Sequence, residues 1–439
     1  MASMDDDKKL RRDYASAAEA MQILGVRAQT LYAYVSRGWI HSVAQKGLKE
    51  KLYLREDLRR ASMRSMARSG HGAVAASAMN WGEPIFPTSI TEITPEGPRY
   101  RGHLAADLVR SGVSFEAVAE LLWTGMLNQP VNQPVNQRPP SWTVRKPSVQ
   151  LIKLTQTLSA LQAQDNLLES FASIVLLLGM RRGSVAERLL QGNTLPAARE
   201  IIQTVVACCG FVGSANSYRP MLKGETIVEG LMHALSLTPN AENSEALRAI
   251  LILMADHELP PGTLSARVVA SSGGTLHSCL AAAFCATSGM DVGRMYDRVE
   301  DFLGHPQSNT VLVNRAQKLH AQGQSVPGFG HPLYLKGDPR ATQLLDIARK
   351  RQGQNRELRA IFRFIDDMAS SSGLQPRQEM AVVILARAMG LPRQAPAALF
   401  ALGRIAGWVA HVQEQRAAGT LLRPRAKFVE TSVESSGSR

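Results

Sequence analysis

The feature of this sequence that most constrains its fold is a long succession of apolar residues at helical spacing. It begins near Ser148 and continues to Glu414, and Gly and Pro residues separate one segment from the next. Few stretches alternate with the period of two that is typical of strands, so any sheet should be small. The sequence therefore predicts a mainly α-helical protein. Its predicted helices cover residues 104–109, 115–125, 148–162, 167–180, 185–191, 197–207, 226–237, 243–255, 263–287, 294–302, 310–322, 338–351, 354–369, 377–389 and 396–414.

Size and composition narrow the class of protein further. The chain has 439 residues, of which 45% are hydrophobic and 20% are charged, so it can bury a large core and is not disordered. Its length fits two or three domains. The net charge of +13 suits polyanions or anionic metabolites as partners and carries no information about the fold.

Cysteine usage and the apolar segments bear on location. The residues from Met1 to Lys9 contain no apolar stretch of the kind that a signal peptide has. The longest uncharged run, Val268 to Met290, contains Ser, Gly, Thr and His, so we expect it to be buried in the protein rather than to span a membrane. No CxxC pair occurs, which favours a reduced, cytoplasmic protein. The four cysteines are Cys208, Cys209, Cys279 and Cys285.

The first 68 residues differ from the rest in charge, with 14 basic and 8 acidic side chains. Ser16 and Glu19 have the spacing of a helix capping box, and Gly25-Val26 then separates two short helices. A basic stretch over residues 42–54 fits a hairpin, or wing, and residues 55–68 fit a basic helix. This order of elements predicts a winged helix-turn-helix over residues 1–68, followed by a linker over residues 69–80.

The segment resembles the winged helix of the MerR and excisionase type. The matching stretches are Ala17-Ala18-Glu19-Ala20, Leu24-Gly25-Val26, Thr30-Leu31-Tyr32 and Arg37-Gly38-Trp39-Ile40. The resemblance implies duplex DNA as a possible partner of residues 1–68. The alternative is a docking or dimerisation module without nucleic-acid contact. The candidate DNA-binding residues are Arg27, Thr30, Tyr32 and Arg37.

Two histidines are candidates for chemistry. His257 lies between two acids, Asp256 and Glu258, at the end of an apolar helix. The alternative for it is a buried structural histidine, and since no second histidine follows at helical spacing we predict no metal site. His331 follows two glycines in Gly328-Phe329-Gly330-His331, a loop that a ligand can approach closely.

Two arginines are placed to bind carboxylates. Arg340 begins a predicted helix shortly after the loop of His331, and a histidine and an arginine from one loop can serve a carbonyl group flanked by carboxylates. Arg404 lies within an apolar helix, where an arginine must be paired or must face an anion.

These motifs, in this order, resemble the citrate synthase family, which includes citrate and 2-methylcitrate synthases. The resemblance extends from about Trp81 to Glu430. It is carried by Arg99-Tyr100-Arg101-Gly102, by Asp256-His257-Glu258 with Ser265-Ala266-Arg267-Val268-Val269-Ala270-Ser271, by Pro327-Gly328-Phe329-Gly330-His331 with Asp338-Pro339-Arg340, and by Gly403-Arg404 through to Arg423-Pro424-Arg425.

The resemblance implies an all-helical homodimeric transferase of the tricarboxylic acid cycle. It implies a large domain over residues 81–289 and 380–430 and a small domain over residues 290–379. The Ser and Gly residues near the end of the chain predict a disordered tail over residues 431–439. Oxaloacetate and then acetyl-CoA would bind between the domains, with acyl-CoA as co-substrate and no other cofactor. On the family pattern the oxaloacetate ligands would be His257, Arg340, Arg404 and Arg423, the last from the partner subunit, and His331 would donate a hydrogen bond or a proton to the keto oxygen.

Three positions depart from the family pattern. Val292 stands where the family has a histidine that polarises the thioester carbonyl, and losing one such donor lowers a rate by about 10²–10³. Glu379 stands where the family has an aspartate as general base, so the catalytic candidates are His331, Glu379 and His257. Pro332 stands where bacterial members often have an arginine that binds CoA phosphate.

The first functional hypothesis is therefore an enzyme that condenses an acyl-CoA with oxaloacetate to give citrate and CoA. The alternative is a catalytically impaired paralogue, because the oxaloacetate residues match the family and the acyl-CoA residues do not. Such a paralogue would act as a metabolite-sensing, DNA-binding regulator or as a subunit of an intact synthase.

Overall fold

A computed structural model describes residues 14–24, 26–36, 40, 42–44, 51–54, 57–58, 86–129, 142–160, 166–182, 194–213, 215–334 and 336–424. The chain divides into two compact units, with boundaries after Pro87 and after Leu422. The first unit takes in both chain ends, and the second, Thr88–Leu422, contains the candidate catalytic residues.

The first unit combines two helices with a small antiparallel sheet. Strands β1 (Tyr14–Ala15), β2 (Ser42–Ala44) and β3 (Lys51–Leu54) lie in the order β1-β3-β2, with Val43 opposite Leu52. Helix α1 (Ala17–Leu24) begins with the predicted capping box, and α2 is Ala28–Ser36. The predicted pairing of β2 with β3 is confirmed. The buried apolar side chains of this unit are Ala15, Ala20, Leu24, Leu31, Ile40, Tyr53 and Leu58.

The second unit opens with a three-stranded antiparallel sheet and is helical thereafter. The strands are β4 (Thr91–Thr94), β5 (Gly97–Tyr100) and β6 (His103–Leu104). The helices are α3 (Ala105–Arg110), α4 (Phe115–Thr124), α5 (Val149–Ala160), α6 (Leu167–Arg182), α7 (Leu195–Cys208), α8 (Ile227–Ala234), α9 (Ala241–Leu253), α10 (Pro261–Ser271), α11 (Leu276–Thr287), α12 (Met295–Leu303), α13 (Asn309–Ala321), α14 (Pro339–Lys350), α15 (Arg356–Ser372), α16 (Gln378–Ala388) and α17 (Ala395–Ala418).

Helix α17 lies at the centre of the second unit. It is buried along most of its length and packs against α4, α9, α10 and α11. Within the described part of the chain, it is the one helix long and apolar enough to cross a membrane. However, 94% of its most apolar stretch is buried inside the protein. That burial is typical of a core helix.

The single helix predicted over residues 263–287 is wrong. The structure has two helices there, α10 and α11, which pack against each other. Gly273 between them has a φ of +82°, a conformation that ends a helix, and the Thr275 side chain then accepts the backbone N–H of Ser278 to begin α11. The helical spacing of apolar residues continues across the break because both helices bury one face in the same core.

Several predictions fall outside the described residues. They are the linker at 69–80, the helix at 185–191, the tail at 431–439 and, apart from residues 57 and 58, the basic helix at 55–68. The division of the second unit into a large and a small domain stays a prediction.

Candidate active site

Three aromatic side chains form the centre of the candidate site. The rings of His257 and His331 lie with centroids 5.6 Å apart at an interplanar angle of 73°. The Tyr334 ring lies 4.7 Å from that of His331 and 5.7 Å from that of His257. The Tyr334 hydroxyl is 3.1 Å from Nε2 of His257. Both histidines predicted from the sequence therefore belong to one cluster.

Local backbone geometry presents each histidine. His257 lies in the turn between α9 and α10, where Glu258 has a φ of +58° and Pro261 restarts the helix. His331 follows Gly328, whose φ of +78° is strained for any side chain and whose absent Cβ leaves room for Met380. The Gly328 carbonyl accepts the backbone N–H of Arg377 at 2.7 Å, so the loop of His331 is held against the start of α16.

Both ring nitrogens of His331 face an N–H donor, and the shorter of the two contacts assigns the ring proton. The backbone N–H of Leu333 donates to Nδ1 at 3.1 Å, so in the neutral ring the proton is on Nε2. Nε2 in turn lies 3.4 Å from Nη2 of Arg340, which is also a donor. Two donors thus lie side by side, an arrangement that an acceptor such as a keto or carboxylate oxygen satisfies.

Arg340 is held by an acid two residues earlier in the chain. The Asp338 carboxylate accepts from Nε of Arg340 at 2.9 Å and from Nη2 at 2.8 Å, with side chains 0% and 3% exposed. The same carboxylate caps α14 by accepting the Arg340 backbone N–H, and it accepts the Gln378 N–H at 3.2 Å. Burial opposes the ionisation of Asp338, but Arg340 outweighs it and the pKa of Asp338 is lowered. The guanidinium therefore has one fixed orientation.

Arg404 is the second buried cation and lies in the middle of α17. It is 3% exposed, its Nε donates to the Met254 carbonyl at 2.8 Å, and its guanidinium lies 5.0 Å from the centroid of Phe400. Burial lowers the pKa of Arg404, an effect that the negative charge of Asp256 opposes. The predicted burial of Arg404 is confirmed.

Both histidines are neutral at pH 7. Burial is the main cause that lowers the pKa of His331 to about 4, and the charge of Arg340 adds to it. Burial also lowers the pKa of His257 well below its usual value, and the charges of Arg340 and Arg404 add to that shift. The site therefore combines two buried cations with two uncharged imidazoles, which suits an anionic ligand that also carries a carbonyl oxygen.

Glu379, the predicted general base, lies in the first turn of α16 and forms an ion pair. Its oxygens accept from Nη2 of Arg377 at 2.9 Å and from Nε at 3.1 Å. The carboxylate is close enough to Arg340 for its charge to contribute to the raised pKa of that arginine. The ion pair with Arg377 uses one acceptor site on each carboxylate oxygen, so Glu379 keeps acceptor sites for other groups.

Val292 lies in the turn between α11 and α12. Its side chain is partly buried and packs against the apolar core, and its backbone N–H donates to the Gly289 carbonyl at 3.2 Å. A valine here supplies no side-chain hydrogen-bond donor, and its match to the histidine of the family pattern stays a prediction.

The other predicted residues lie in the first unit. Arg423 is exposed and belongs to that unit, and its role stays a prediction. Arg27 and Tyr32 are exposed, Thr30 is partly exposed, and Arg37 lies outside the described residues. Within the described ranges, no group of three or more His, Cys, Asp or Glu residues is arranged to hold a metal ion.

Three site residues were missed from the sequence. They are Tyr334, which contacts both histidines, Asp338 as the partner of Arg340, and Arg377 as the partner of Glu379. Each lies two or three residues from a predicted site residue, and that proximity was the available signal.

Comparison with known proteins places the chain in a family. A family model described as citrate synthase, C-terminal domain, matches residues 78–425. A citrate synthase of Saccharolobus solfataricus is 32% identical over 45% of this chain, which spans 55% of that relative's length. A putative citrate synthase 2 of Mycobacterium tuberculosis is 28% identical over 79% of this chain and 91% of the relative.

Solved structures agree on the fold. The citrate synthase of Thermoplasma acidophilum, solved as a ternary complex with carboxymethyl coenzyme A and oxaloacetate, matches with a TM-score of 0.63 and 22% identity over 80% of this chain and 95% of that one. Since the family model covers most of the 439 residues, the chain belongs to the citrate synthase family.

Proposed function

We propose that the protein condenses acetyl-CoA, or another short acyl-CoA, with oxaloacetate to give citrate or a homologue and free CoA. One observation carries this proposal: Nε2 of His331 and Nη2 of Arg340 lie 3.4 Å apart beside His257. Oxaloacetate presents a keto oxygen between two carboxylates, and the cluster offers neutral N–H donors next to buried cations. Family membership supports the same chemistry.

In this proposal the arginines bind and the histidines act on the keto group. Arg340 and Arg404 bind the carboxylates of oxaloacetate, and His257 binds its keto oxygen. Neutral His331 donates a hydrogen bond from Nε2 to that oxygen as it gains negative charge during carbon–carbon bond formation. Glu379 takes the proton from the acyl carbon, and the electron pair left on that carbon attacks the keto carbon of oxaloacetate. Water then hydrolyses the resulting thioester and releases CoA.

The assembly is part of the proposal. We propose a cytoplasmic homodimer in which Arg423 of each subunit completes the oxaloacetate site of the other. Residues 81–289 and 380–430 would form the large domain and residues 290–379 the small one, with acyl-CoA as co-substrate and no resident cofactor.

The test is release of CoA from acetyl-CoA and from propionyl-CoA in the presence of oxaloacetate. We expect turnover by the wild type and its loss in His331→Ala. His320→Ala is the matched control, because His320 is exposed on α13 and we expect full turnover from it. Oxaloacetate binding without turnover by the wild type would reject the enzyme.

A second candidate is a catalytically impaired paralogue, favoured by Val292 and by the ion pair that engages Glu379. In it, oxaloacetate or CoA binding would regulate contact of residues 1–68 with DNA, or the chain would pair with an intact synthase. The full-length protein should then bind duplex DNA at low salt, where phosphate contacts are strongest, and Arg27→Ala should weaken that binding. Co-purification from native cells would recover an intact paralogue in the subunit case.

A further inference from the structure

We propose that His411, acting with Asp256 and Arg267, positions His257 and Arg404 for oxaloacetate binding. This inference rests on the proposed function. None of the three is among the substrate ligands, so we regard them as positioning residues.

Helix α17 forms hydrogen bonds with the three residues that directly precede His257. Arg404 donates to the Met254 carbonyl at 2.8 Å, the Gly407 N–H is 3.0 Å from the Ala255 carbonyl, and Nε2 of His411 is 3.2 Å from Oδ2 of Asp256. Residues three and seven positions after Arg404 lie on the same helix face, so one face of α17 contacts consecutive residues of the turn.

The close approach depends on Gly407. A Cβ atom there would lie 2.2 Å from Oδ1 of Asp256 and 2.5 Å from the Ala255 carbonyl oxygen. Any larger residue would push the turn away from α17. The backbone before His257 is therefore held at a distance that only glycine permits.

The proton of His411 is directed toward Asp256. Nη1 of Arg267 lies 3.3 Å from Nδ1 of His411, and since arginine has only donors, Nδ1 is the acceptor and the ring proton is on Nε2. Asp256 and His411 are both 0% exposed. Asp256 thus receives a fixed donor in a region where an unpartnered carboxylate is costly.

Asp256 also provides negative charge near Arg404. Burial opposes the ionisation of Asp256, but His411 and then Arg404 outweigh it, and its pKa is lowered. The ionised carboxylate keeps Arg404 from being an isolated buried cation in the absence of ligand. His411, by holding Asp256, therefore supports the charge balance of the guanidinium as well as the backbone of His257.

Arg267 connects this hydrogen-bonded cluster with the C-terminal end of the second unit. Its Nη1 donates to Oε2 of Glu414 at 2.8 Å and its Nε to Oε1 of Gln415 at 3.0 Å. Gln415 then donates to the Thr420 carbonyl at 2.8 Å. A continuous series of buried or half-buried polar contacts thus connects the turn of His257 with the residues that directly precede Arg423.

The experiment compares His411→Met with His411→Gln by calorimetric titration of the full-length protein with oxaloacetate and, separately, with acetyl-CoA. Methionine removes both hydrogen bonds, whereas the glutamine amide can donate to Asp256 and accept from Arg267. We expect His411→Met to weaken oxaloacetate binding by about 10-fold or more and His411→Gln to restore it to within about threefold of wild type. Acetyl-CoA affinity should be unchanged in both variants, because His257 and Arg404 bind oxaloacetate and not acetyl-CoA. Loss of folded protein would instead lower the number of binding sites for both ligands alike.

The control is His320→Met on exposed α13, which should bind oxaloacetate as the wild type does. Equal oxaloacetate affinity in wild type and His411→Met overturns the inference, and so does a glutamine variant as weak as the methionine variant. If His411→Met does not fold, Gly407→Ala takes its place. This variant displaces the turn before His257 and leaves the side chains of Asp256, Arg267 and His411 intact. A wild type that binds no oxaloacetate overturns the proposed function together with this inference, whereas normal binding by His411→Met overturns the inference alone.

Discussion

Replacing Asp338 with Asn removes the negative charge from a buried ion pair and keeps the shape of the side chain. The Asp338 and Arg340 side chains are 0% and 3% exposed, and two hydrogen bonds of 2.8 and 2.9 Å join them. Asparagine caps helices about as well as aspartate, so the start of α14 should keep its cap. The change therefore isolates the loss of the countercharge of Arg340.

The expected loss of stability is large. Removing one partner of a buried ion pair leaves the other charge unpaired and costs about 3–5 kcal/mol. The pKa of Asp338 is lowered in the folded state, so its contribution is present above the unfolded pKa of about 3.9 and is lost as the pH falls below that value. The difference between wild type and Asp338→Asn should thus be constant from pH 8 to about pH 5 and should shrink in stronger acid.

Urea unfolding followed by circular dichroism, over this pH series, measures the difference. The control is Asp346→Asn, an exposed carboxylate on the same helix, which should change stability by no more than about 0.5 kcal/mol. A loss below about 1 kcal/mol in Asp338→Asn, or a difference that grows on acidification, would refute the reasoning. Calorimetry should also show weaker oxaloacetate binding, because Arg340 loses its fixed orientation.

Three further predictions concern the titration of His331, the stability contribution of Glu116 and the side chain at position 292. The pKa of His331 is lowered to about 4, so its ring resonances should not shift between pH 8 and pH 5.5, and a midpoint near 6.5 in NMR would contradict this. Burial raises the pKa of Glu116 to about 7 although it accepts the Ile227 N–H at 2.7 Å. Relative to Glu116→Gln, wild type should therefore lose about 3 kcal/mol of stability between pH 4.5 and pH 8; parallel pH profiles of the two proteins would rule this out. Val292→His should raise the rate of CoA release by about 10²–10³, whereas Val292→Leu should not, and equal rates would show that the missing donor is not limiting.

Local sequence signals predicted most of the described helices and several residues that the structure brings into one cluster. The capping box of Ser16 and Glu19 and the placement of Arg340 just inside a helix are short-range features, and both are present in the structure. The family pattern selected His257 and His331, which the fold brings to ring contact. The break between α10 and α11 was missed because apolar spacing continued across Gly273.

Side-chain pairing was not predictable in the same way. The contacts of His411 with Asp256 and of Arg267 with Gln415 join residues far apart in the chain, and only the packing of α17 brings them together. The ion pair of Arg377 with Glu379 is local, but either residue has several possible partners. Which one it selects depends on the loop of Gly328, whose carbonyl accepts the Arg377 N–H.

Substitutions in the oxaloacetate half and in the acyl-CoA half of the proposed site should affect the stability of the fold to different degrees. Arg340 and Arg404 are each 3% exposed and bonded to buried groups, so replacing either would leave buried partners unsatisfied. Pro332 instead lies exposed in a loop, where substitution costs little stability, and Val292 is only partly buried in a turn. The stability of the fold thus depends on the proposed oxaloacetate residues more than on the proposed acyl-CoA residues. A site that binds oxaloacetate would therefore persist in this fold even without catalysis, so CoA release, rather than oxaloacetate binding, distinguishes the enzyme from a paralogue that only senses its ligand.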